Sequence, residues 1–60
     1  MKRKTLIDKI TSAGCVFVRH GKRHDLYKNP STGKSQPIPR HSEIDENLAR
    51  HIIKELAGPR

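Results

Sequence analysis

Residues 15–39 read CVFVRHGKRHDLYKNPSTGKSQPIP, and this stretch decides the fold. Cys15-Val16-Phe17-Val18-Arg19 is rich in β-branched and aromatic side chains and too short for a stable helix, which predicts a strand over 15–19. Gly21 marks a tight turn, and residues 23–28 form a second strand. Asn29-Pro30-Ser31-Thr32-Gly33 is dense in residues that favour turns. A third strand over 35–39 contains Pro37 and Pro39, which lack an N–H, so it belongs at an edge or is partly irregular. Strands joined by such short turns predict an antiparallel meander.

Outward from this stretch the apolar period changes from two to about 3.6. Upstream, Leu6, Ile7, Ile10 and Ala13 share one helical face, which predicts a helix over 5–13. Thr5 is the candidate cap, with Asp8 in the capping-box position, and Gly14 supplies the stop. Downstream, Leu48, Ile52 and Leu56 recur every four residues beside Ala49, Ile53 and Ala57. Ser42 or Asp45 caps this second helix, Glu43, Asp45 and Glu46 suit the positive end of its dipole, and Gly58-Pro59 ends it. The expected architecture is α+β in the order α-β-β-β-α. Two helices cover one face of a three-stranded antiparallel sheet and leave the other face open. Leu6, Ile7, Ile10, Leu48, Ile52, Ile53 and Leu56 are expected to be buried.

Sixty residues allow a single domain over 1–60, with one thin core. A core of this size typically nets only about 3–5 kcal/mol. The one cysteine, Cys15, excludes an internal disulfide framework and a zinc knuckle. The longest apolar run is Cys15–Val18, so no membrane span is expected, and the basic start lacks the apolar core of a signal peptide. The expected location is a reducing cytoplasm. Thirteen Lys and Arg against six Asp and Glu give a net charge of +7. Residues 1–42 hold ten basic and two acidic side chains, whereas residues 43–60 hold three and four. That asymmetry suggests one polyanion-binding surface.

No phosphate loop, paired carboxylate or serine-nucleophile motif is present. Four histidines remain. His51 falls roughly 140° from the centre of the last helix's apolar stripe, at about 100° per residue, and reads as a surface residue. His20 and His24 straddle Gly21 and could face each other across a hairpin, but no cysteine or carboxylate clearly completes a metal set, so no metal and no cofactor is expected. His24 lies between Lys22-Arg23 and Tyr27-Lys28, and neighbouring cations favour a neutral imidazole that accepts protons. RNA cleavage needs a base for the 2′-hydroxyl, an acid for the leaving oxygen and cations for the phosphorane. A histidine in this setting suits that chemistry, although a strand histidine is more often an ordinary surface residue. Candidate phosphate contacts are Arg19, Lys22, Arg23, Lys28, Lys34 and Arg40. Tyr27 is a core residue, a base contact or an auxiliary donor, the core role being the commoner for such a residue. One aromatic beside so many cations poorly supports a base-stacking platform.

The chain resembles the HicA toxins, small mRNA interferases of prokaryotic type II toxin–antitoxin pairs. The resemblance runs through the Lys-rich start into Leu6-Ile7, and through Ala13-Gly14 followed by a hydrophobic strand. It continues with His20-Gly21, His24-Asp25-Leu26-Tyr27-Lys28-Asn29-Pro30 and Pro37-Ile38-Pro39-Arg40-His41 before the amphipathic helix. It implies a double-stranded-RNA-binding-domain-like fold and a metal-independent endoribonuclease acting in stress responses. It also implies one catalytic histidine on the second strand, which maps onto His24. The family usually carries Gly-Ser or another small residue just before that histidine; here Lys22 and Arg23 follow Gly21, so a phosphate contact from Arg23 would replace a hydroxyl contact. The resemblance further implies a HicB-type antitoxin, with the toxin monomeric when free and hetero-oligomeric when neutralised. His41 is a possible auxiliary residue, because the resemblance also covers Arg40-His41, while His20 and His51 are expected to matter much less. Two rival readings are a non-catalytic RNA-binding module, which would tolerate loss of His24, and a protein-binding module whose basic face docks an acidic partner.

Overall fold

In the computed structural model, which describes residues 1–58, Val16–His20 (β1), His24–Lys28 (β2) and Ser35–Pro39 (β3) pair antiparallel in the order β1-β2-β3. Arg3–Ser12 (α1) precedes the sheet and Glu46–Ala57 (α2) follows it, which completes the expected α-β-β-β-α order. The proline-bearing β3 lies at an edge. Pro59 lies outside the described residues.

Register decides which side chains meet. Asp25 opposes Ile38 and Tyr27 opposes Gln36; Ile38 is fully buried, so this is the face beneath the helices. Alternation puts His24, Leu26 and Lys28 on the other face, opposite Pro39, Pro37 and Ser35. The β1–β2 register shifts between Phe17 and Arg19, leaving Val18 as the extra residue of a bulge. Because of that bulge, Phe17 and His20 both fall on the helix side, opposite Tyr27 and Asp25, although they are three residues apart.

α1 starts two residues earlier than its apolar spacing predicts, and Thr5 lies inside it rather than capping it. Its N-cap, Lys2, makes no side-chain cap bond. A backbone bridge substitutes. Lys2 pairs with Glu43, the Arg3 N–H donates to the Ser42 carbonyl at 2.9 Å, and the Ile44 N–H donates to the Met1 carbonyl at 2.8 Å. The orphan donors of the first turn are thus partly met by another segment of chain, so no capping side chain is required. At the other end Gly14 adopts φ 98°, with Gly14 N–H to Thr11 at 3.0 Å and Cys15 N–H to Ile10 at 3.0 Å. This is a Schellman stop, and it draws Cys15 out of the expected first strand into the helix cap. Asp45, not Ser42, caps α2, its carboxylate accepting from the Leu48 N–H at 3.2 Å.

Leu6, Ile10, Cys15, Ile38, Ile44, Ala49, Ile52 and Leu56 form the core, with Ile7, Tyr27 and Ile53 partly buried against it. Leu48, expected inside, is 41% exposed. The buried stripe of α2 runs through Ala49, Ile52 and Leu56, rotated from the predicted one. Ile44, arriving from the preceding loop, joins the core instead. Every residue of β1 is exposed, Val16, Phe17 and Val18 by nearly half, so the helices cover the other two strands and leave β1 bare. No helix among the described residues is long and apolar enough to cross a membrane.

Candidate nucleic-acid interface

The β1–β2 hairpin closes through the Gly21 N–H, which donates to the His24 carbonyl at 2.7 Å. A Cβ at Gly21 would sit 3.0 Å from that oxygen, so the closure favours glycine. The turn Gly21-Lys22-Arg23 separates the last residue of β1, His20, from the first residue of β2, His24. The two histidines do not pair with each other: His20 opposes Asp25 on the helix side, and His24 opposes Pro39 on the open side.

Asp25 is the hub of this end of the sheet. It is 8% exposed, and cationic or imidazole groups from three parts of the chain converge on its carboxylate. His20 Nδ1 lies 2.8 Å from Oδ1, Arg40 Nε donates to the same oxygen at 3.0 Å, and Arg3 donates to Oδ2 at 2.7 Å. Arg3 also donates to the Pro39 carbonyl at 2.9 Å, and Arg40 to the Gly21 carbonyl at 2.8 Å. Arg3 reaches this position because it shares a helical stripe with Leu6 and Ile10, at spacings of three and seven, and that stripe faces the core. The His20 hydrogen bond above all, followed by the hydrogen bond and charge of Arg40, outweighs burial and holds the Asp25 carboxyl below its usual range. An ionised carboxylate only accepts, so the contact places a proton on His20 Nδ1 and turns Nε2 outward. The Phe17 ring lies 4.7 Å from the His20 ring, centroid to centroid.

The expected site residues divide. Arg23, Arg40 and His41 line one open depression of about 390 Å³. Arg19, His24 and Lys28 share the open face by register. Lys28 stands four residues along β2 from His24, roughly 14 Å at about 3.4 Å per residue. Lys22 is exposed in the turn. Lys34 stands apart, at the far end of the sheet, 3.3 Å from Glu55 of α2. Tyr27 is half-buried, edge-on to Phe17 at 5.7 Å, and packs on the core. Sequence reasoning missed Arg3 and Asp25. The signal for Arg3 was its place at the head of the Leu6–Ile10 stripe; for Asp25 it was a lone acid at an inward position of a strand otherwise flanked by cations.

The family model described as "HicA toxin of bacterial toxin-antitoxin" matches residues 3–57. No curated protein and no solved structure matches significantly. The match spans all five elements, including the hub's arginines at positions 3 and 40, and it places the chain in a family whose members act as toxins and are paired with an antitoxin. The chain belongs to the HicA family of bacterial toxin–antitoxin toxins.

Proposed function

We propose that this toxin is a metal-independent endoribonuclease that cleaves mRNA, with His24 as a catalytic acid–base group, and that a HicB-type antitoxin silences it by covering this site. The observation that carries the reading is the hairpin end. An exposed histidine begins β2 on the uncovered face, Arg19 and Lys28 share that face, and the Arg23–Arg40–His41 depression lies at the same end of the sheet. Cations so placed bind a phosphodiester and steady charge on the phosphorane, while the imidazole moves a proton. Lys34, held by Glu55, is a peripheral contact to the RNA backbone at most.

The test is cleavage of a synthetic mRNA in EDTA by the folded chain and by His24→Ala. Cleavage by the parent chain and its loss in the variant support the assignment. Undiminished cleavage by the variant removes His24 from the mechanism, and RNA binding with no cleavage by either chain makes the protein a non-catalytic RNA-binding module. Loss of cleavage only on adding EDTA replaces the histidine mechanism with a metal site.

A further inference from the structure

Cleavage of RNA through its own 2′-hydroxyl requires two proton transfers at one phosphodiester, one off the attacking oxygen and one onto the leaving oxygen. His24 accounts for one. We propose that His20 is the second acid–base group, protonating the leaving 5′-oxygen through Nε2, with Asp25 as the positioning residue that holds its ring. This rests on the nuclease reading above.

Four observations carry it. First, the 2.8 Å contact with Asp25 fixes the proton on Nδ1 and leaves Nε2 to exchange a proton with whatever lies outside. Second, the carboxylate cannot swing away, because Arg3 from α1 and Arg40 from beyond β3 hold both of its oxygens, and Phe17 lies against the imidazole. A histidine oriented by a fixed carboxylate is the arrangement that acid–base catalysis uses on many unrelated folds. Third, the His20 side chain is 73% exposed, so its outer nitrogen is open to a substrate. Fourth, His20 and His24 flank one closed three-residue turn, on opposite faces of the hairpin. In-line displacement puts the attacking and leaving oxygens on opposite sides of phosphorus. A phosphodiester laid across the hairpin end, its charge against Arg23, has one imidazole on each side.

The step balances. His24 takes the 2′-hydroxyl proton as the 2′-O–P bond forms and the P–O5′ bond breaks. His20 enters the step as the imidazolium, protonated on both nitrogens, and gives its Nε2 proton to the 5′-oxygen while Nδ1–H stays on Asp25. The products are a 2′,3′-cyclic phosphate and a free 5′-hydroxyl, and solvent restores both imidazoles.

The experiment uses a short RNA that the full chain cleaves, and the same RNA with sulfur replacing the bridging 5′-oxygen at the scissile bond. A thiolate leaves without being protonated. His20→Ala should slow cleavage of the ordinary RNA by about 10²–10⁴ and cleavage of the sulfur-bridged RNA by less than about tenfold, whereas His24→Ala should slow both. Asp25→Asn should follow the His20→Ala pattern wherever its circular dichroism shows the native fold. Because Asp25 also holds two arginines, His20→Ala at its exposed position is the deciding variant. Full activity of His20→Ala on ordinary RNA, or equal losses on both substrates, would overturn the proposal while leaving the nuclease reading standing. Rescue of His24→Ala instead would reverse the roles and overturn the acid assignment. No cleavage by the parent chain would remove the nuclease reading, and this one with it.

Discussion

Replacing His24 by alanine removes an exposed side chain that lies outside the core cluster. His24→Ala is therefore expected to keep its stability within about 1 kcal/mol and to lose about 10²–10⁴ in cleavage rate, as checked by urea titration beside single-turnover kinetics. Asp25 should behave in the opposite way. Its carboxyl is held below the usual carboxylate range, so its contribution is fully present above the unfolded value of about 3.9 and is lost as pH falls through the lower folded value. Denaturant midpoints measured from pH 6 down to pH 3 should fall more steeply for the parent chain than for Asp25→Asn. His24 stands out in the sequence as a candidate because it sits in a run of cations within a recognisable motif. Asp25 does not, since its role depends on Arg3 and Arg40, 22 and 15 residues away. No local pattern announces such a convergence.

Among the elements, the turn between β2 and β3 makes the sharpest stability claim. Asn29 is buried, its amide donates to the Leu56 carbonyl at 2.6 Å, and its side-chain oxygen accepts from the Ser31 N–H at 2.9 Å. One side chain therefore both shapes the turn and ties it to the C-terminal end of α2, where Cys15 Sγ also approaches the same carbonyl at 3.6 Å. Asn29→Ala should cost about 1–3 kcal/mol, a large part of the roughly 3–5 kcal/mol that a core of this size nets. Equilibrium urea unfolding would measure it, with Ser31→Ala, which keeps the backbone donor, changing little. The order and type of all five elements followed from residues 15–39 and the two apolar stripes. Boundaries moved where tertiary contacts replaced local signals: Thr5 lost its cap role to the bridge at Ser42–Ile44, and Cys15 passed to the helix stop. Leu48 surfaced for a similar reason, because Ile44, outside any periodic pattern, joined the core.

At the scale of the molecule the charge is uncompensated within the chain, and RNA binding should weaken linearly in a log–log salt titration. Removing one charge at Arg23 should flatten the slope by up to about 0.7–0.9; a salt-insensitive affinity would point to an apolar protein interface instead. The same surface calls for acidic groups on the antitoxin. The bridge between Met1–Arg3 and Ser42–Ile44 has a consequence in time as well as in space. Synthesis runs from the N-terminus at about 5–20 residues per second, and both histidines of the hairpin are made before the arginine at position 40 and the acceptor at position 42. Until those two have left the ribosome, the main-chain N–H of Arg3 lacks its acceptor and Asp25 lacks its second guanidinium. A nascent chain stopped short of residue 40 holds His20 and His24 in an unfixed hairpin, and the cluster around Asp25 assembles only once the segment through residue 42 is free to fold back.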